Sequence, residues 1–126
     1  FYSLVCAAGH DLTSVQFAAL SVIAAQPGLD QATLANFIAF DRATTGGVVD
    51  RLEAKGFVRR ETPKTDRRTR NLYLEPAGQE ALEAVMPLAR KAQEAMLEGL
   101  NQAERQTLVR LLGKALAVVG DANRKP

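Results

Sequence analysis

The sequence predicts a mainly α-helical fold with one small β-hairpin. Hydrophobic residues make up 47% of the 126 residues, whereas aromatic residues make up only 6% and tryptophan is absent. A core of this composition is built mostly from Ala, Val and Leu, which suits packed helices. Apolar residues recur at helical spacing through most of the chain, and a short segment at 71–74 alternates instead. This length fits one domain with room for a helical extension.

The first two helices are recognised by their ends. Residues 1–8 carry apolar side chains at helical spacing, and Gly9-His10-Asp11 ends that segment. Thr13 with Gln16 three residues later is a capping box, which predicts a second helix over about residues 14–26. Because the chain begins inside the first helical pattern and without Met, we expect further residues upstream.

The next two helices form a helix-turn-helix. Asp30 is placed to cap a short helix that runs to about Phe37, and residues 38–40 make the turn. Asp41 then caps a second helix, which ends at Lys55-Gly56. In such a pair the second helix is the one that enters the major groove of DNA.

An arginine-rich hairpin follows, with strands predicted at 57–62 and 71–74. Between Arg59 and Arg70 the chain carries six basic residues against two acidic ones, although its net charge is only +2. The six are Arg59, Arg60, Lys64, Arg67, Arg68 and Arg70. A local basic patch on a nearly neutral protein favours docking of one surface on a polyanion.

Two long helices complete the chain. Pro76 fits the first position of one, and Pro87 is expected to bend it. Asn101 with Glu104 caps the last helix, which is expected to stop at Gly120. Together with the first helix, their apolar faces exceed what one small lobe can cover, so a second copy of the chain is predicted to cover the rest. This division assigns residues 12–75 to a winged helix-turn-helix lobe, and 1–11 and 77–126 to dimerisation helices.

The order of these elements resembles the MarR family of bacterial transcription regulators. In that family an Asp-x-Arg pair marks the wing, and here the matching residues are Asp66-Arg67-Arg68. The resemblance implies a homodimer that binds a pseudo-palindromic operator in double-stranded DNA, acts as a repressor and is released by a small aromatic or phenolic acid. Glu75 departs from the pattern, because the family often has a Thr cap there.

Ten residues are candidates for contact with DNA. They are Arg42, Thr44, Thr45, Gly46, Arg51, Lys64, Asp66, Arg67, Arg68 and Arg70. Those at the start of the second helix reach base edges, where Arg can chelate guanine and Thr can contact thymine. Arg68 suits a narrow minor groove, Asp66 would hold the loop or an arginine, and the other loop cations suit phosphates.

Each candidate also has a plain alternative. The helix start could simply be solvated, and the basic loop could serve only to protect a strand edge from aggregation. Two adjacent glycines, Gly46-Gly47, cost about 1 kcal/mol each relative to Ala in a helix. They favour a close approach of the backbone either to DNA or to a packed neighbour. Arg51 could contact a phosphate or an acidic side chain.

A slot for an aromatic acid is the candidate signal site. His10, Gln16, Phe17 and Phe40 are its principal predicted contacts, and core packing is the alternative for each aromatic residue. The remaining residues that could line it are Phe1, Tyr2, Leu12 and Leu20. Cys6 is the one candidate for redox sensing, but its neighbours supply no cation, so a buried inert thiol is expected.

Other classes of function have little support in the sequence. One His and one Cys give no catalytic dyad or triad, and no metal-ligand cluster, P-loop or dinucleotide loop is present. No enzyme activity, metal or cofactor is therefore expected. No apolar run spans a membrane and no leader is recognised, and a single cysteine fits a reducing cytoplasm. Two alternative functions remain open: a redox-switched regulator that uses Cys6, and a winged-helix module that binds protein and not DNA.

Overall fold

The protein forms six helices and a two-stranded hairpin within the residues that the structure describes. The computed structural model describes the backbone of residues 1–65 and 69–124, and the side chains of residues 1, 4–65 and 69–117. The elements are α1 (Tyr2–Ala7), α2 (Ser14–Ala25), α3 (Gln31–Ile38), α4 (Arg42–Ala54), β1 (Val58–Glu61), β2 (Asn71–Leu74), α5 (Pro76–Leu97) and α6 (Gln102–Arg124). The mainly α fold with a small β-wing is confirmed.

The predicted capping boxes form as reciprocal hydrogen bonds. The backbone N–H of Gln16 donates to Thr13 Oγ1 at 3.1 Å, and the backbone N–H of Thr13 donates to Gln16 Oε1 at 3.1 Å. The pair Asn101 and Glu104 repeats this arrangement at 2.9 Å in both directions. These bonds satisfy backbone donors that a helix start leaves unpaired, which is why α2 and α6 begin where the sequence predicts.

A tight turn fixes the angle between α3 and α4. Ala39 adopts the left-handed conformation, with φ 61° and ψ 38°. The backbone N–H of Phe40 then donates to the carbonyl of Ala35 at 3.1 Å, and Asp41 follows directly as the cap of α4. A left-handed alanine costs about 1–2 kcal/mol, so the surrounding packing must hold this turn in place.

One hydrophobic core joins α1 through α5 and the hairpin. Its fully buried side chains come from each of these elements: Val5, Leu20, Ile23, Leu34, Val49, Leu52, Leu72 and Val85. α6 contributes none of the buried side chains among the residues described. Its apolar residues Val109, Leu111, Leu112 and Leu116 are exposed, as is Met96 of α5.

The hairpin is anchored to the start of the helix-turn-helix. β1 and β2 pair antiparallel, with Val58 opposite Leu74 and Arg60 opposite Leu72. On its other edge, Leu72 exchanges backbone hydrogen bonds with Gly28 (2.8 Å) and Leu29 (2.9 Å). The wing is therefore fastened to the segment that leads into α3, and its position relative to the helix-turn-helix is set by backbone bonds on both edges of β2.

Two expectations are wrong in detail. α6 continues through Gly120 to Arg124, because a glycine ends a helix only when the chain turns there and otherwise costs about 1 kcal/mol. The thiol of Cys6 is exposed and not buried, since Val5 takes the core-facing position of α1. Glu75, which stands where the family often has a Thr cap, does not move the start of α5, because that helix begins at Pro76. The Glu75 side chain makes no capping hydrogen bond and forms an ion pair with Arg59 instead.

Candidate nucleic-acid interface

The start of α4 is rigidly capped and its side chains face outward. The Asp41 carboxylate accepts hydrogen bonds from the backbone N–H of Thr44 at 2.7 Å and from its hydroxyl at 2.9 Å. These two bonds hold the pKa of Asp41 below its usual value, so the cap stays charged at neutral pH. Arg42 and Thr44 are exposed in this first turn, where a recognition helix meets base edges.

Thr45 is placed differently from its neighbours. Its side chain is fully buried, and its hydroxyl has no hydrogen-bond partner among the residues described. A buried hydroxyl is not positioned to contact a base, so the expectation that Thr45 reads DNA is not supported by the geometry.

The two glycines of α4 have different surroundings. A Cβ on Gly46 would lie 3.1 Å from Nε2 of Gln31 on α3, whereas a Cβ on Gly47 would meet nothing nearer than a terminal nitrogen of Arg51 at 3.8 Å. Close packing against α3 therefore accounts for Gly46. It does not account for Gly47, whose surroundings are open.

The basic residues of the hairpin divide into two groups. Arg59 donates to Glu75 at 2.9 Å and to Glu61 at 3.0 Å, and these bonds raise its pKa above the usual value. Its guanidinium also lies 4.7 Å from the centre of the Tyr73 ring. The charge of Arg59 is thus compensated by Glu61 of β1 and by Glu75, which precedes α5, whereas Lys64 and Arg70 are the exposed loop cations that the structure describes.

A cavity of about 300 Å³ lies where the starts of α3 and α4 meet the returning strand of the hairpin. Its lining comprises Asp30, Gln31, Ala32, Arg42, Thr69 and Arg70. It brings together Arg42, predicted to contact bases, and Arg70, predicted to contact phosphates. Arg70 is oriented by a hydrogen bond to the Thr62 hydroxyl at 2.8 Å.

Three predicted residues cannot be placed, and one more is placed on the surface. Asp66, Arg67 and Arg68 lie outside the described residues. Arg51 is exposed on α4 and forms none of the ion pairs found in the described part of the chain. Asp50 and Glu53 of the same helix pair instead with Arg60.

Arg60 is the residue that the sequence reasoning missed. Arg60 is one of the six basic residues between Arg59 and Arg70, and the basic patch predicts that it is available to a polyanion, yet only 17% of its side chain is exposed. The alternation of side chains along a strand could have indicated that Arg60 is buried, because Arg60 shares the inward face of β1 with Val58, which is 2% exposed. Its partners on α3 and α4 are non-local and no sequence pattern reveals them.

Only some of the residues that were predicted to line the aromatic slot lie close to one another. Leu12, Leu20 and Gln16 are buried, and the rings of Phe1 and Phe17 lie 5.5 Å apart against the same core. Phe40 is 36% exposed in the α3–α4 turn, His10 is half-buried at the end of α1, and the side chain of Tyr2 lies outside the description.

Gln16 already has structural partners. Besides its role in the capping box of α2, its Oε1 lies 3.3 Å from Nζ of Lys55. Lys55 in turn donates to the carbonyl of Asp11 and so joins the end of α4 to the α1–α2 connection. A ligand that engaged Gln16 would act on this link.

Within the described residues, no cluster of His, Cys, Asp or Glu side chains could hold a metal ion. None of the helices in that part of the chain combines the length and apolar character needed to cross a membrane.

Comparisons with known proteins agree with this geometry. Residues 12–69 match the MarR family model. The chain is 33% identical over 106 residues to the transcriptional regulator HosA of Escherichia coli O157:H7, an alignment that covers 84% of this chain and 78% of HosA. A probable transcriptional regulator from Pseudomonas aeruginosa has a similar structure, with a TM-score of 0.81 and 34% identity over 91% of this chain and 84% of that one.

A second similar structure is that of BpsR from Bordetella bronchiseptica, a protein whose DNA binding is regulated by 6-hydroxynicotinic acid. The TM-score is 0.75 and the identity 33%, over 82% of this chain and 79% of BpsR. The relatives named here are regulators of transcription and not enzymes. The fold, the capped α4 beside a wing, and these similarities together show that the chain belongs to the MarR family of transcription regulators.

Proposed function

We propose that this regulator binds a pseudo-palindromic operator as a homodimer, represses transcription from it and leaves it when a small aromatic acid binds. One observation carries the proposal. The capped first turn of α4 exposes Arg42 and Thr44 directly beside an arginine-bearing hairpin, with Arg70 at a shared cavity. A helix for the major groove and a basic wing for the backbone or minor groove are the two parts that a DNA reader needs.

The proposed contacts follow from exposure and charge. Arg42 suits the O6 and N7 acceptors of guanine, and Thr44 can hydrogen-bond a base edge or contact a thymine methyl group. Arg68 is assigned to the minor groove, with Asp66 holding the loop. The other cations (Arg51, Lys64, Arg67 and Arg70) are assigned to phosphates. Gly46 serves by letting α4 pack closely on α3.

The homodimer rests on the apolar residues that the lobe leaves uncovered. Met96, Val109, Leu112 and Leu116 are each about half exposed or more. Exposed apolar side chains on two long helices fit a two-fold interface formed by the same surface of both copies. Such a dimer presents two α4 helices to one face of the duplex, about one helical turn apart.

The effector is proposed to be an aromatic acid because the DNA binding of BpsR, 33% identical to this chain, is regulated by 6-hydroxynicotinic acid. The proposed contacts are His10, Gln16, Phe17 and Phe40. The link from Gln16 through Lys55 to the end of α4 supports release, since a ligand there would move α4. A preference of about 5.5 kcal/mol for the released form shifts a two-state equilibrium from 1:99 to 99:1.

The first experiment is selection from a random duplex pool with the purified protein, followed by sequencing. The expected result is an inverted repeat with half-sites about ten base pairs apart. Affinity for that site should fall about a thousandfold or more between 50 and 200 mM salt, which is the loss expected of a dimer that neutralises roughly six to ten phosphates. No enrichment, with the dimer verified, would favour the alternative module that binds only protein.

The selected site then tests the signal. Release by 6-hydroxynicotinic acid or a related aromatic acid, lost in Gln16→Ala, is the expected result. Cys6→Ser separates the redox alternative, which the exposed thiol makes chemically accessible. Peroxide-induced release that this substitution abolishes would assign the signal to the thiol.

A further inference from the structure

Arg60 binds three elements of the DNA-reading lobe to one another. It lies on β1, and its guanidinium contacts side chains or backbone of both α3 and α4. We propose that Arg60 is a positioning residue that sets the recognition helix α4 relative to the wing, and so determines sequence specificity without touching DNA. This proposal rests on the DNA-binding function proposed above.

The contacts of Arg60 use most of its donors. Nη1 lies 2.7 Å from Asp50 Oδ1 and 3.1 Å from Glu53 Oε1. Nη2 donates to Gln31 Oε1 at 3.0 Å and to the carbonyl of Gly46 at 3.3 Å, and Nε donates to Gln31 Oε1 at 3.3 Å. Only arginine has a planar fork with enough donors to hold these four acceptors at once.

The surroundings of Arg60 argue against a phosphate contact. Two carboxylates already compensate its single positive charge, and only 17% of its side chain is exposed. A phosphate would have to displace Asp50 or Glu53 and approach the other carboxylate. The neighbouring Arg59, in contrast, is 48% exposed on the opposite face of β1.

The consequence for DNA reading follows from where the acceptors lie. Gly46 is in the first half of α4, and Asp50 and Glu53 are in its second half. Gln31, held by Arg60, is also the group that packs against Gly46. Arg60 therefore fixes both the tilt of α4 on α3 and its distance from the hairpin. Base contacts from α4 and minor-groove contacts from the wing can be made together only if that distance is right.

The decisive test removes the carboxylates and keeps the arginine. Asp50→Asn with Glu53→Gln removes two negative charges per subunit from a surface that faces a polyanion. If charge alone matters, this double variant binds DNA more tightly at every sequence. If Arg60 positions α4, the affinity for the selected operator falls about tenfold or more, while the affinity for random duplex stays equal or rises. A parallel rise at both sequences would overturn the proposal.

A conservative pair provides the matched control. Arg60→Lys keeps the charge but not the fork, so we expect the ratio of operator to random-duplex affinity to fall about tenfold. Arg59→Lys changes the adjacent residue on the same strand and should leave that ratio within about twofold. An unchanged ratio in Arg60→Lys would contradict the proposal.

Folding is controlled in the same samples by helix content, thermal unfolding and dimer mass. Asp50 and Glu53 are 68% and 45% exposed, so the double variant is expected to fold even if Arg60 variants do not. If the wild-type protein itself selects no sequence from the random pool, the proposed function fails and the role of Arg60 fails with it. If the wild-type protein selects an operator and the Arg60 variants keep the same affinity ratio, only the role of Arg60 fails.

Discussion

Thr45 stands out among single residues because its buried hydroxyl has no partner in the described structure. An unsatisfied buried polar group costs about 1–3 kcal/mol. Thr and Val have nearly the same shape and similar helix propensity. We therefore expect Thr45→Val to raise the free energy of unfolding by about 1 kcal/mol, measured by urea denaturation.

DNA binding supplies the second readout for this substitution. Because Thr45 is 0% exposed, Thr45→Val should leave the selected operator sequence unchanged. Thr44→Val is the control, since Thr44 is exposed and its hydroxyl bonds to the Asp41 cap. A change of preferred base caused by Thr45→Val alone would show that this side chain turns outward on DNA.

The glycine pair of α4 offers a second comparison between neighbours. A methyl group on Gly47 meets only ordinary contacts, so Gly47→Ala should raise the free energy of unfolding by about 1 kcal/mol through helix propensity. A methyl group on Gly46 must displace the Gln31 amide that Arg60 holds. Gly46→Ala should therefore be neutral or destabilising.

Urea denaturation and operator affinity, measured on both variants, distinguish the two possible reasons for a glycine, which are close packing on α3 and close approach to DNA. Equal stabilisation by the two substitutions would mean that Gln31 moves aside at no cost. If Gly47→Ala is more stable but binds the operator more weakly, Gly47 is retained for close approach to DNA.

At the scale of elements, the wing is the part whose role depends most on charge. Arg68→Ala should weaken operator binding about tenfold or more if Arg68 makes the proposed base contact, because an arginine that contacts a base contributes on the order of 1–3 kcal/mol. Arg59→Ala removes the same charge from the same hairpin, but from a residue already paired with Glu61 and Glu75. We expect only the first variant to lose affinity in a fluorescence anisotropy titration. Equal losses would indicate general electrostatics and not a wing contact.

Elements whose boundaries depend on local chemistry were predictable from the sequence. Thr13, Asp30, Asp41 and Asn101 each satisfy backbone N–H groups within three residues. A short stretch of sequence therefore contains all the information needed to place these four helix starts.

Features that depend on distant segments were not predictable. Arg60 meets Gln31 across 29 positions of sequence, and its partners emerge only when β1 packs beside α3 and α4. Gly78 is another case, because a Cβ there would lie 2.1 Å from the carbonyl oxygen of Phe57. No pattern near Gly78 in the sequence indicates that α5 starts so close to the hairpin.

At the scale of the whole molecule, most of the large apolar side chains that are exposed among the described residues lie on α5 and α6. The core is closed by α1 through α5 and the hairpin, while Val109, Leu111, Leu112 and Leu116 of α6 are exposed. The periodicity of α6 predicted a surface that needs a partner. Because a stable interface buries about 800 Å² on each partner, the half-exposed Leu111, Leu112 and Leu116 would form part of it and not the whole.

Leu112→Arg tests that partnership at the level of assembly. Burial of one Leu is worth about 1.5–3 kcal/mol and a two-fold interface contains it twice, so the proposed dimer should weaken about a hundredfold or more. Gln106→Arg introduces the same side chain at another exposed position of α6, off the apolar stripe. Sedimentation equilibrium should detect monomer in the first variant only. Operator affinity should also fall in the Leu112→Arg variant, since one subunit reaches only one half-site. A dimer that survives Leu112→Arg would show that the interface lies elsewhere.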